Sequence, residues 1–145
     1  MRISTKGRYA TRIMLYLALH SKEGLVRKEQ ISKAENISAA YVEQIMMMLK
    51  SANLTLSKRG VKGGFSLARE KKNILLLDIL EATEGPLDLV PCIRGSCERS
   101  LGCAAGRVWK RANNTLNDFF KGISLDDLAR EENSLRDSVG ITYEI

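Results

Sequence analysis

The sequence holds 145 residues, 44% of them hydrophobic and 28% charged, with 11 Gly and 2 Pro; that is the composition of one globular domain with an arm, and it excludes a disordered tail or a collagenous repeat. Apolar runs such as Ile74 to Leu77 are broken by charge far short of the roughly 18 residues that cross a bilayer, and Met1 to Lys6 carries no apolar stretch behind its basic start, so the reading is of a cytoplasmic protein without membrane insertion. The net charge of +6 is unevenly divided: residues 1 to 72 hold 15 Lys and Arg against 5 Asp and Glu, residues 73 to 145 hold 8 against 12, so the first half is built to meet a polyanion, of which nucleic acid is the commonest soluble one.

The spacing predicts a first helix from Lys6 to Ser21, with Thr5 as N-cap, Tyr9, Ile13, Met14, Tyr16 and Leu17 on its apolar side, and Gly24 as its stop. A short second helix follows from Arg27 to Glu35, with Ile31 and Ala34 facing inward. After a tight Asn36, Ile37 turn, Ser38 caps a third from Ala39 to Ala52, which turns Tyr41, Val42, Ile45, Met46 and Leu49 to the core and leaves Glu43, Gln44 and Lys50 to face out. Two short helices across such a turn make a helix-turn-helix. Leu54 to Lys58 and Phe65 to Leu67 then alternate as strands about the loop Arg59-Gly60-Val61-Lys62-Gly63-Gly64, which is a hairpin wing. A membrane-surface role would need one basic amphipathic helix, whereas these cations are spread over several elements. The loop is no nucleotide cradle either, because neither Gly-Lys-Ser/Thr nor a helix follows its glycines.

Leu75 to Thr83 reads as a further helix, stopped at Glu84, Gly85 and Pro86, and an irregular stretch from Leu87 to Gly102 comes next. A long helix from Ala104 to Lys121 carries Val108, Trp109, Ala112, Leu116, Phe119 and Phe120, more apolar surface than one small domain needs, and part of it is expected to meet another chain. Ser124 to Asp127 forms a capping box that opens a last helix to Ser134, with no clear signal from Arg136 onward. The divisions are therefore 1 to 84 for the winged helix, 85 to 103 for a cysteine loop and 104 to 145 for a dimerisation arm; the fold class is mostly α.

Cys92, Cys97 and Cys103 fall within one twelve-residue window as C-x4-C-x5-C. Their polar, Gly-rich surroundings mark them as a site rather than as core hydrophobes. A disulfide would strand one thiol and suits a reducing compartment poorly. Zinc wants four ligands, and His20, the sole His, sits at the end of the first helix where the dipole favours it. Three thiolates on a loop suit an iron-sulfur cluster best, since its fourth ligand need not be Cys. A redox enzyme is the rival class, but the chain has no C-x-x-C pair and no nucleophile, base and orienter set.

With these elements placed, the sequence resembles the IscR family and its relatives NsrR and RirA over nearly its whole length. The residues that carry the likeness are MRISTKGRYA, NISAAYVEQI, RGVKGGFSL, LLDILEATEGPL, the cysteine loop and ISLDDL. The resemblance implies a homodimeric repressor of double-stranded DNA, with an iron-sulfur cluster on Cys92, Cys97 and Cys103, [2Fe-2S] in preference to [4Fe-4S]. It also implies a pseudo-palindromic operator, read in the major groove by Ser38, Tyr41, Glu43 and Gln44, with Arg59 and Gly60 of the wing at the minor groove; the basic, Gly-rich loop itself adds Lys62, which with Arg59 can supply charge or reach into a groove. Glu43 is the implied discriminator between operator classes, and the side-chain chemistry agrees: Gln44 can pair with an adenine edge and Glu43 can accept from cytosine N4. Two positions depart from the family. Gly106 stands where IscR proteins carry a His ligand, and Arg8 stands where NsrR-like relatives use a carboxylate. The fourth ligand is therefore open among Glu84, Asp88, Glu98, a loop serine and an exogenous group. Sensing by nitric oxide, by thiol oxidation or through zinc shares the same fold.

Overall fold

A computed structural model describes residues 2–95, 97–99 and 101–141. The described chain is six helices and one two-stranded antiparallel sheet: α1 (Thr5–Leu19), α2 (Lys28–Glu35), α3 (Ala39–Ser51), β1 (Thr55–Lys58), β2 (Gly64–Leu67), α4 (Leu76–Glu84), α5 (Ala104–Lys121) and α6 (Leu125–Ile141). No helix among the described residues is long and apolar enough to cross a membrane.

Helix α1 runs through the middle of the core and packs against α3, α4 and α6. Ile13, Met14, Leu17, Ile31, Ile45 and Leu49 are all at most 1% exposed, and each such side chain removed from water stabilises the fold by about 1.5–3 kcal/mol. The cap of α1 is Ser4 rather than Thr5: its Oγ accepts from Gly7 N at 3.3 Å. Glu84, at the far end of α4, joins it there by accepting from Gly7 N at 3.1 Å and from the Ser4 hydroxyl, and a carboxylate is favoured at a helix N-terminus. The end of α1 is also earlier than its pattern predicts. His20 is the C-cap, with its ring against Tyr16 and Nδ1 2.9 Å from Glu23, and a short 3-10 turn fills the space before Gly24. In α2, Ile31 is buried but Ala34 is exposed, because eight residues turn only a narrow stripe inward.

The hairpin pairs Thr55 with Leu67 and Lys58 with Gly64. Val26 bridges to Phe65 through hydrogen bonds of 2.9 and 2.7 Å, which brings the chain entering α2 alongside the sheet. Helix α6 is rooted in the same core, for Leu125 and Ala129 are buried there, and Leu125 N donates to Ile74 O while Leu76 N donates to Ile123 O, each at 2.8 Å. The capping box opens it: Asp127 accepts from Ser124 N at 2.9 Å and from Ser124 Oγ at 2.6 Å, and these bonds hold its carboxyl below the usual carboxylate range. Beyond Ser134 the helix continues to Ile141. Periodicity in that stretch is weak, and Leu135 and Val139 within it are both more than half exposed.

Candidate nucleic-acid interface and cysteine loop

The outward face of α3 is set by the residues that face in. With Val42, Ile45, Met46 and Leu49 buried, Ala40, Glu43, Gln44, Met47 and Lys50 form an exposed stripe along the opposite side. Ser38 is the N-cap, its Oγ accepting from Tyr41 N at 3.3 Å. Tyr41 is half-buried, edge-on to Tyr9 with ring centroids 5.9 Å apart. The structure thus puts Ser38, Glu43 and Gln44 on the open surface at the first turns of the helix, where a helix lying in a major groove contacts base edges.

The wing projects beside that face. Gly60 has φ +115°, and Gly63 N donates to Gly60 O at 2.9 Å to close the turn. A Cβ on Gly63 would lie 2.2 Å from Lys58 O, so only glycine closes it this tightly. Val61 at the tip is 89% exposed, and Arg59 and Lys62 flank it on the surface. Between α2, α3 and the hairpin lies a groove of about 760 Å³ lined by Arg27, Lys28, Glu43, Met47, Lys50 and Arg59, among others.

Three side chains fix the parts of this surface to one another. Arg27 donates to Val61 O at the wing tip. Lys50 Nζ donates to Ser57 Oγ of β1 at 2.7 Å, and Lys28 Nζ of α2 lies 2.8 Å from Glu43 Oε2 of α3. The hydrogen bond that Lys28 donates to Glu43, and then the carboxylate's charge, raise the pKa of Lys28 above the ordinary 10.5. Sequence reasoning missed Arg27, Lys28 and Met47. Met47 was open to it, since it falls one turn beyond Glu43 and Gln44; the clamps span 15 and 34 positions and leave no periodic trace.

Between α4 and α5, Cys92 lies in a 3-10 turn (Pro91–Ile93) and is exposed, while Cys97 and Cys103 are partly buried; all three are free thiols. Cys103 is the N-cap of α5, and its Sγ accepts from Gly106 N at 3.2 Å. Among the described residues no group of three or more His, Cys, Asp or Glu is gathered closely enough to hold a metal ion. Of the carboxylates open to the role of fourth ligand, Glu84 is engaged at the start of α1, Asp88 pairs with Arg94, and Glu98 is exposed. The loop serines, Ser96 and Ser100, lie outside the described residues. Arg8 donates to Thr5 Oγ1 at 3.1 Å.

Helix α5 buries a single residue, Asn113, and it is polar. Its Oδ1 accepts from Leu89 N at 2.8 Å, which fastens the start of the cysteine loop to the middle of the helix. Val108, Trp109 and Phe119 are 54%, 46% and 61% exposed, a larger run of uncovered apolar side chains than a lone helix leaves to water.

Comparison with known proteins agrees with this architecture. A profile of the Rrf2 family, described as an iron-dependent transcriptional regulator, matches residues 3–131. The HTH-type transcriptional regulator IscR of Pectobacterium atrosepticum is 35% identical over 136 residues, covering 93% of this chain and 83% of that protein. Among solved structures, T. potens IscR superposes with a TM-score of 0.75 at 30% identity over 91% of this chain and 88% of that one. CymR, described as the global cysteine regulator of B. subtilis, gives 0.75 at 33% identity over 90% of this chain and 98% of that one.

Proposed function

Since the chain belongs to the Rrf2 family of winged-helix transcriptional regulators, which bind DNA and are not enzymes, we propose that it is a homodimeric repressor whose operator binding is set by an iron-sulfur cluster. The cluster is held by Cys92, Cys97 and Cys103, [2Fe-2S] in preference to [4Fe-4S], and the regulated processes are iron-sulfur cluster assembly or iron homeostasis. The observation that carries this reading is the position of Cys103. It ends the only stretch of the described chain that holds cysteines and caps the helix whose apolar face is uncovered.

The donor chemistry fits: three free thiols on one loop, with a sulfur at a helix N-terminus where negative charge is favoured. When bound, such a cluster supplies iron that is lost or modified as iron, oxidant or nitric oxide changes. The protein's own part follows from its contacts. Gathering Cys92 and Cys97 toward Cys103 tightens the segment fastened by Leu89 to Asn113, and so fixes α5 relative to α4 and the core. Two copies joined through Val108, Trp109 and Phe119 then present two α3 helices at a set separation, about one DNA turn or roughly 34 Å for a pseudo-palindromic operator. Ser38, Tyr41, Glu43 and Gln44 enter the major groove. Arg59, Gly60 and Lys62 of the wing meet the minor groove, whose narrow stretches attract Arg and Lys.

Anaerobic purification with quantification of iron and acid-labile sulfide tests the cluster. Equal iron and sulfide with a visible absorption band supports it, and a colourless chain that resists reconstitution removes it. One observation favours a second reading. The three thiols are not gathered into a metal site among the described residues, and the chain is as similar to CymR as to IscR in fold. On that reading the same loop senses through thiol oxidation, nitric oxide or zinc. Stoichiometric zinc, or a disulfide formed reversibly without metal, distinguishes it.

A further inference from the structure

The DNA-facing surface contains a second charged group at Glu43 that the reading above does not use. Lys28 opens α2 and reaches across to α3, with its Nζ 2.8 Å from Glu43 Oε2; the two side chains are 37% and 55% exposed and both line the groove between the helices and the wing. Glu29, the next residue of α2, adds a weaker attraction that also keeps Lys28 charged.

We propose that Lys28 is a specificity-determining residue for DNA that acts through Glu43, neutralising its carboxylate and occupying one of its two oxygens. This rests on the assignment of α3 as the reading helix. An unpaired carboxylate facing a polyanion is repelled unless a base offers it a donor, and in the major groove the donors are cytosine N4 and adenine N6. Bound to Lys28, Glu43 carries its charge as half of a neutral pair. Its Oε1 is left to accept from a base, while Lys28 keeps two further N–H donors for a phosphate or for water, neither of which reads sequence. The pair therefore tolerates base pairs that a lone Glu43 rejects. Lys28 is thus the residue that sets how strict the Glu43 position is, by the same logic through which an unpaired charge acts against wrong partners.

The test is binding of wild type, Lys28→Met, Glu43→Ala and the double variant to operators varied at each base pair. Lys28→Met keeps the aliphatic stem and removes the charge, and both positions are exposed enough for the variants to fold, which thermal melts check. Lys28→Met is expected to sharpen selection for a cytosine or adenine donor opposite Glu43, with the other bases losing about tenfold in affinity. Glu43→Ala is expected to abolish that selection, and adding Lys28→Met to it should leave base preference unchanged. The proposal is overturned if Lys28→Met weakens every operator alike in both backgrounds with a shallower salt slope, which marks a plain phosphate contact, or if it changes nothing. Failure of the wild type to bind any operator would overturn the assignment of α3 as well, so the two failures are told apart by the first member of the series.

Discussion

From Arg27 to Phe65, the elements on the outward side are tied to one another by the chain's own side chains: Arg27 to the wing tip, Lys28 to Glu43, Lys50 to Ser57, with Val42, Ile45 and Leu49 buried beneath. From Leu87 to Lys121 the arrangement is the reverse. A loop with three free thiols is fastened to α5 through the Leu89 to Asn113 bond, and Val108, Trp109 and Phe119 of α5 are exposed to water. The first region is complete as a single chain. The second contains the groups for which a second copy and a cluster are the proposed partners: exposed apolar side chains and three free thiols. In the proposed dimer this division is useful, because the surface of α3 and the wing keeps its geometry while its separation from the same surface of a second copy can be changed through α5.

The contrast can be broken most severely in the core. Leu49→Ala removes a fully buried side chain from the inner face of α3 and is expected to cost about 2–5 kcal/mol, measured by denaturant unfolding. On the open side, Phe119→Asp should leave the helical signal in circular dichroism intact while shifting sedimentation from dimer to monomer. Equal damage to folding from both would erase the distinction between the regions. Asn113→Ala leaves Leu89 N without its partner and is expected to cost about 1–3 kcal/mol. Hydrogen exchange should rise in the cysteine loop and stay unchanged in α1 to α3. The smallest effect belongs to the wing: Arg59→Ala is expected to weaken operator binding with a salt slope lower by about one, and an unaltered slope would take Arg59 off the DNA.

Much of the closed region was legible in the sequence because burial there repeats with the period of the helix. Val42, Ile45, Met46 and Leu49 fall inward as their spacing predicts, the Ser38 cap is where its side chain suggests, and the glycines mark the wing turn. Boundaries moved where capping competes: Ser4 in place of Thr5, because Glu84 from α4 meets the same helix end, a contact across 80 positions. Pattern also misled at Ala34, where a small apolar residue on a short helix costs little to expose. The long helix is correct to its ends at Ala104 and Lys121, yet its one buried residue is Asn113. A polar residue buried for a single backbone hydrogen bond has no periodic signature, and neither do the Lys28 to Glu43 and Arg27 to Val61 clamps. The spacing and polar surroundings of the cysteines put a cluster ahead of zinc and a disulfide; the preference for [2Fe-2S] came from the resemblance.

The claim at the centre of this account is that the cysteine loop governs a DNA-binding surface it does not form part of. The direct measurement is operator affinity for wild type and Cys92→Ala, purified side by side without oxygen and compared at fixed salt, with iron and sulfide determined on the same preparations. The account predicts that Cys92→Ala lacks the cluster, keeps the helical content of the wild type and discriminates its operator from random DNA at least tenfold less well. A variant without cluster that binds every operator with wild-type affinity would contradict it.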